Sequence, residues 1–275
     1  MQPIFKKFVV TELATKMNKK SLFADTCLSS CSSCPSRKVC ISQHIDEQST
    51  SKVGRLIAET LRVSKNKTLY QKHDKQEALF LVRFGQFKLI GEDLYGEQRV
   101  AGFYMAGDVM GMDAIATGRH QYRVAALENS EVCEIPFGFE GNMLSDQPEL
   151  QRRLFRAMSD SLNSHCCRAT MLAKTPVDAR FANFLLMLGK KYSTLGYSER
   201  SFRLAMSRSD IASYLGTSVE TVSRLISRLN VHGAVNITGR LVAIDDQSYL
   251  QALVSGHGES MLQSVSPVSV QQDVL

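Results

Sequence analysis

One stretch toward the C-terminus limits what this chain can fold into more than any other: Ser209-Asp210-Ile211-Ala212-Ser213-Tyr214-Leu215-Gly216-Thr217-Ser218-Val219-Glu220-Thr221-Val222-Ser223-Arg224-Leu225. Ile211, Ala212 and Leu215 fall at helical spacing, Gly216 interrupts, and Val222, Leu225 and Leu229 resume the spacing. The pattern predicts a short helix, a turn at Gly216 and a second helix. Packing the two apolar sets together fixes the angle between the helices and turns the opposite face outward. Val219, Glu220, Ser223 and Arg224 then stand on that outer face.

Those four side chains suit the major groove of DNA. Arg donates a bidentate pair to guanine, Glu accepts from the cytosine amino group, and Val touches a thymine methyl, with ~1–3 kcal/mol of discrimination per good polar pair. Thr217 and Glu220 also fit a capping box, which would give Glu220 a purely structural task. Lys190, Lys191, Arg203, Arg208, Arg228 and Arg240 are candidates for phosphate contacts, or solvated surface charges. The formal net charge of +6 is compatible with a nucleic-acid partner without requiring one.

The rest of the 275 residues reads as an α+β chain with 44% hydrophobic and 22% charged residues. No apolar run approaches the roughly 18 residues of a membrane span, and Phe8-Val9-Val10 is too short for a signal core, so a cytoplasmic location is expected. Residues 1–47 carry a cysteine-rich loop. Across 48–144, Ala78-Leu79-Phe80-Leu81-Val82, Phe87-Lys88-Leu89-Ile90, Val100-Ala101-Gly102-Phe103 and Val132-Cys133-Glu134-Ile135 predict strands of a sandwich or small barrel. Ser145-Asp146-Gln147-Pro148-Glu149 signals the start of a long helix over 145–173. Within it Phe155, Met158, Leu162, His165, Ala169 and Leu172 recur at alternating steps of three and four, the seam of a coiled coil between two copies or a face packed on the chain's own barrel, and Gln151 extends the register backward. Residues 174–255 hold a second amphipathic helix with Phe181, Phe184, Leu185 and Leu188 inward, ending near Gly196, then the two-helix motif and a hairpin turning near Gly239. Residues 256–275 read as a loose tail.

Seven cysteines in a reducing compartment point to metal or redox chemistry rather than a disulfide framework. Cys27, Cys31, Cys34 and Cys40 form C-x3-C-x2-C-x5-C, so one loop can wrap a metal centre. Thiolates suit both zinc and iron-sulfur clusters. Spacing separates neither the two metals nor four ligands from five candidates once Cys133 is included. Isolated cysteines such as Cys133, Cys166 and Cys167 are commonly small buried hydrophobes.

With these residues in view, the chain resembles the FNR type, the oxygen-responsive branch of the superfamily that includes the bacterial cyclic-AMP receptor. The cysteine run, Gly102-Phe103-Tyr104-Met105-Ala106-Gly107-Asp108, Cys133-Glu134-Ile135-Pro136-Phe137 and Val219-Glu220-Thr221-Val222-Ser223-Arg224 carry the resemblance. It implies a jelly-roll sensor domain of the cyclic-nucleotide-binding kind, a dimerisation helix and a winged helix-turn-helix. It implies a four-iron, four-sulfur cluster on Cys31, Cys34, Cys40 and Cys133, with Cys27 an additional cysteine. It further implies a homodimer that reads TTGAT-like inverted repeats through Glu220, Ser223 and Arg224, with Val219 alongside, its recognition helices roughly 34 Å apart. Oxygen would switch DNA binding off by shifting dimers to monomers. RNA polymerase would be met through exposed barrel loops, the turn near Gly96 among the candidates.

The sequence departs from the resemblance at His165, where relatives carry a carboxylate whose repulsion keeps cluster-free monomers apart. A neutral imidazole costs less in a seam, so easier dimerisation without the cluster is expected; in the alternative reading His165 simply packs at the seam and other residues set the balance. A cyclic-nucleotide-responsive regulator needs an acid and an arginine where Met112 and Tyr122 stand. Asp113 and Arg123 are each one residue late, so no cyclic nucleotide is expected. A zinc-stabilised regulator is a further alternative. An iron-sulfur enzyme or electron carrier would account for the cysteines but not for the helix-turn-helix, and no nucleophile-base constellation accompanies it.

Overall fold

The computed structural model describes residues 34–40, 59–136 and 148–256. Cys27, Cys31, most of the 1–47 segment, Ser145 to Gln147 of the expected helix start and nearly all of the 256–275 tail lie outside the described residues. Two compact units divide the chain, residues 1–157 and 158–275.

The first unit is built from eight antiparallel strands: β1 (Glu59–Val63), β2 (Thr68–Tyr70), β3 (Ala78–Phe84), β4 (Phe87–Glu92), β5 (Gln98–Tyr104), β6 (Val109–Met110), β7 (Arg123–Ala126) and β8 (Ser130–Pro136). They form two four-stranded sheets, ordered β1-β8-β3-β6 and β2-β7-β4-β5, the jelly-roll arrangement. Phe87, Met110, Val124 and Val132 are buried in the core. All four expected strands are present, each longer than its apolar run. In β4 a register shift between Leu89 and Ile90 lets two consecutive residues be buried, which plain alternation forbids. The strands that escaped notice, β1, β2, β6 and β7, are short, and pairing rather than pattern defines them.

Between β4 and β5 the Asp93 carboxylate organises a tight turn. It accepts hydrogen bonds from Tyr95 N (3.0 Å), Glu97 N (2.9 Å) and Arg99 Nε (3.2 Å), and leaves Leu94 and Tyr95 fully exposed beside Gly96. Helix α1 (Pro148–Lys174) opens on a proline, with Glu149 in its first turn ion-paired to Arg152 and, at 2.9 Å, to Arg153.

The second unit contains α2 (Val177–Thr194), β9 (Ser201–Arg203), α3 (Arg208–Leu215), α4 (Val219–His232), the hairpin β10 (Val235–Thr238) and β11 (Leu241–Ile244), and α5 (Gln247–Val254). Phe181, Phe184, Leu185 and Leu188 of α2 are buried as their spacing predicts. The hairpin turns at Gly239 and Arg240 and pairs with β9 in the order β10-β11-β9, forming the wing. Helix α5 packs on α2 and buries Tyr249, Leu250 and Leu253, with Asp246 accepting from Tyr249 N at 2.9 Å as its cap. Sequence reading missed it, since eight residues make a stable helix only through tertiary packing. Among the described residues no helix is long and apolar enough to cross a membrane.

Candidate nucleic-acid interface and cysteine site

The helix-turn-helix is assembled by local rules. Ser207 and Asp210 form a reciprocal capping box at the start of α3, Ser207 Oγ accepting from Asp210 N at 3.1 Å and Asp210 Oδ2 from Ser207 N at 3.0 Å. Gly216 ends the helix with φ 63° and ψ 45°, a left-handed conformation that glycine adopts without penalty. Ile211, Ala212, Leu215, Val222, Leu225 and Leu229 are all buried, as the spacing requires. Burial of each leucine is worth ~1.5–3 kcal/mol.

Helix α4 is capped by Ser218, whose hydroxyl accepts from Thr221 N at 3.1 Å. The capping pair of Thr217 with Glu220 considered from sequence is therefore displaced by one residue. Glu220 is exposed; its own backbone N–H, then the Ser218 hydroxyl, and finally the Arg224 charge hold its carboxyl below the usual range. Val219 and Arg224 are exposed beside it, Ser223 is half-buried, and Arg208 Nη1 reaches Ser223 Oγ at 3.3 Å. Besides Arg208, other proposed phosphate contacts are engaged within the domain. Arg228 pairs with Asp178 at 2.6 Å, and Arg240 donates to Ala205 O at 2.9 Å. Lys190, Arg203 and Arg208 are exposed, Lys191 partly so.

On α1, Phe155 is 60% and Leu162 64% exposed, and His165 and Ala169 are exposed between half-buried Met158 and Leu172. Cys166 and Cys167, the small buried hydrophobes of the simplest sequence reading, are also exposed.

The cysteine site draws on distant segments. Val132 is buried in the jelly-roll core, so its neighbour Cys133 faces the other side of the sheet, in register with Thr60 of β1 and Leu81 of β3. Cys133 is nonetheless buried. Cys34 caps a 3₁₀ turn, Pro35–Lys38, and Cys40 follows it. The turn is tied to β3, where Ser36 Oγ donates to Arg83 O. It also abuts Gly107, where a Cβ would come within 2.5 Å of Val39 O, so only glycine fits.

Arg83 links the two segments. It donates to Glu131 Oε1 at 2.8 Å and to the Cys34 thiol, with Cys133 also within its field. Burial works against its charge, but Glu131, then Cys34 and Cys133, outweigh that and raise the guanidinium above its usual range. Thiolate sulfur is the form that ligates metal, and the donor chemistry of cysteines on both segments fits a thiolate-bound cluster. Among the described residues no three metal-ligating side chains converge. Sequence reading missed Arg83; its place two residues beyond Leu81, the strand partner of Cys133, is a signal only once the register is known. Elsewhere in the jelly roll, the Asp113 carboxylate accepts from Gln121 N (2.8 Å) and Tyr122 N (3.3 Å), and Arg123 donates to Gln98 (2.9 Å).

A jelly roll joined to a winged helix-turn-helix with an exposed polar recognition face defines a Crp-type, DNA-binding transcription regulator. Residues 179–253 match the Crp-like helix-turn-helix domain and residues 60–144 the cyclic nucleotide-binding domain. The fumarate and nitrate reduction regulatory protein of Salmonella typhimurium is 33% identical over 231 residues, 84% of this chain and 92% of that protein. The protein of the same name from Escherichia coli K12 is 32% identical with the same coverage. FixK2 from Bradyrhizobium japonicum shares the fold with a TM-score of 0.64 at 23% identity, covering 70% of this chain and 96% of its own. A CRP/FNR-family transcriptional regulator from Thermus thermophilus does so with a TM-score of 0.58 at 20% identity, covering 73% and 100%. The chain belongs to the FNR family of the CRP/FNR superfamily. Its relatives are transcription regulators rather than enzymes.

Proposed function

We propose that this chain is an oxygen-responsive regulator of the aerobic-to-anaerobic switch, binding TTGAT-like inverted repeats as a homodimer when it carries a four-iron, four-sulfur cluster. In this reading residues 1–47 and 48–144 sense, 145–173 dimerise and 174–255 bind DNA, in the cytoplasm. The observation that carries it is Arg83, which joins the Cys34 turn to the Cys133 strand and so brings the two sulfur-bearing segments together.

Cys31, Cys34, Cys40 and Cys133 would hold the cluster, with Cys27 a substitute ligand. When bound, it supplies thiolate-held iron that oxygen can attack. The chain's own residues do the rest. Phe155, Met158, Leu162, His165, Ala169 and Leu172 bring two copies together, covering apolar side chains that one protomer leaves exposed. Val219, Glu220, Ser223 and Arg224 read base edges, while exposed cations of the same unit contact phosphates. Leu94 and Tyr95, on their Asp93-braced turn, offer RNA polymerase a contact. Asp113 and Arg123 are committed to neighbours within the jelly roll, which disfavours a cyclic nucleotide.

The test is iron and sulfide analysis of anaerobically purified protein, coupled to a DNA titration before and after air. Iron and sulfide in equal amounts, with operator binding lost in air, are expected. Equal operator occupancy by loaded and stripped protein overturns the sensory reading.

A further inference from the structure

The end of α3 shows how the dimerisation helix is joined to the DNA-reading unit. The last four carbonyls of any helix lack an intrahelical partner. In α3, Ala212 O accepts from Thr217 N at 3.0 Å and Ser213 O from Gly216 N at 3.3 Å, the ordinary backbone solution. The other two are met by arginines from other helices. Arg168 of α1 places Nη2 2.9 Å and Nε 3.3 Å from Tyr214 O, and Arg180 of α2 donates through Nη1 to Leu215 O. Two cations at a helix C-terminus also complement its dipole.

The grip on Tyr214 has a second component. The Arg168 guanidinium lies 4.6 Å over the Tyr214 ring, which packs against Phe184 of α2 with centroids 5.6 Å apart. One turn beyond Arg168, Leu172 abuts Gly216, where a Cβ would stand 3.2 Å from Leu172 Cδ2. Thus α1 holds the last turn of α3 and the glycine that follows it, three residues before recognition helix α4 begins.

We propose that Arg168 and Arg180 are positioning residues that lock the recognition helix to the dimerisation helix through the terminal carbonyls of α3. Arg168 directly precedes the seam residue Ala169, so any rotation of α1 that closes the seam swings the fork holding Tyr214. The lock fixes where each recognition helix stands relative to the dimer axis. It therefore sets the half-site spacing that the dimer accepts, separately from how well each helix reads its bases. The inference rests on the reading of the chain as a dimer on inverted repeats.

The experiment titrates the full anaerobic chain and Arg168→Ala against inverted repeats whose half-sites move apart one base pair at a time. Each step displaces a half-site by roughly 3.4 Å and turns it about the duplex. The unaltered chain is expected to prefer one spacing. Arg168→Ala is expected to lose that preference by about tenfold, the worth of one charge-assisted hydrogen bond, while single half-site affinity and sedimentation as a dimer stay unchanged. Arg168→Lys keeps a charge but cannot reproduce the planar fork or stack, so it stays near the alanine value and carries the test if alanine fails to fold. A uniform fall at all spacings with the preference retained, or full rescue by lysine, overturns the lock alone. A chain that binds no inverted repeat, or binds every spacing equally, overturns the dimer reading and the lock together.

Discussion

The reading head and the sulfur site of this molecule are built in opposite ways. Every element of the head, from the Ser207 cap through Gly216 to Arg224, lies in one short stretch whose caps and turns span a few residues, and only the end of α3 is closed from outside it, by Arg168 and Arg180. The sulfur site instead joins a turn at Cys34 to strands carrying Arg83 and Cys133, and those strands are brought together only by the sheet. A unit shaped mainly by contacts a few residues apart depends less on distant segments. A site spanning distant segments is held only while each link is intact.

The largest effect should come from breaking the assembled site. Cys133→Ser removes the strand thiol while leaving the core residue Val132 in place, and iron and sulfide in anaerobic preparations should fall to background with the fold retained by circular dichroism. Next, Arg224→Ala should cost ~1–3 kcal/mol of specific DNA binding and relax preference at one base position, measured by titration against operators altered base by base. Smaller again, Gly216→Ala forces a side chain into the left-handed region with Leu172 3.2 Å from its Cβ, and should lower the unfolding free energy by ~1–2 kcal/mol in denaturant titration.

The smallest expected effect concerns the seam. Partial desolvation on α1, then the Arg168 cation, holds the His165 imidazole below its usual range, so it is neutral near pH 7. A depressed imidazole favours the folded, neutral form. That contribution is complete above the usual value of ~6.5 and fades as pH falls through the lowered one, where two charged rings would face each other across a dimer. Sedimentation of cluster-free protein should show dimer at neutral pH and micromolar concentration, weakening on acidification. Only monomer at neutral pH would remove His165 as an aid to association.

The helix-turn-helix was legible because its signals are short-range: a helical apolar period, a glycine at the turn and polar residues on the remaining face. The long strands β3, β4, β5 and β8 were legible from apolar runs, and α1 from its proline start and its period. Arg83 and Arg168 were not, since nothing in their flanking residues separates them from solvated arginines. The Thr217 capping pair misled by one position, because Ser218 and Thr217 are both competent caps and only backbone geometry chooses between them.

By itself, the order of residues determined which faces turn inward, where the helices of the reader begin and end, and that several thiols lie close along the chain, all consequences of spacing within a few residues. Tertiary structure alone decided that Arg83 stands between Cys34 and Cys133 and that Arg168 closes the end of α3. Those pairings follow from strand register and helix packing, which set distances between residues remote in sequence and leave no local mark.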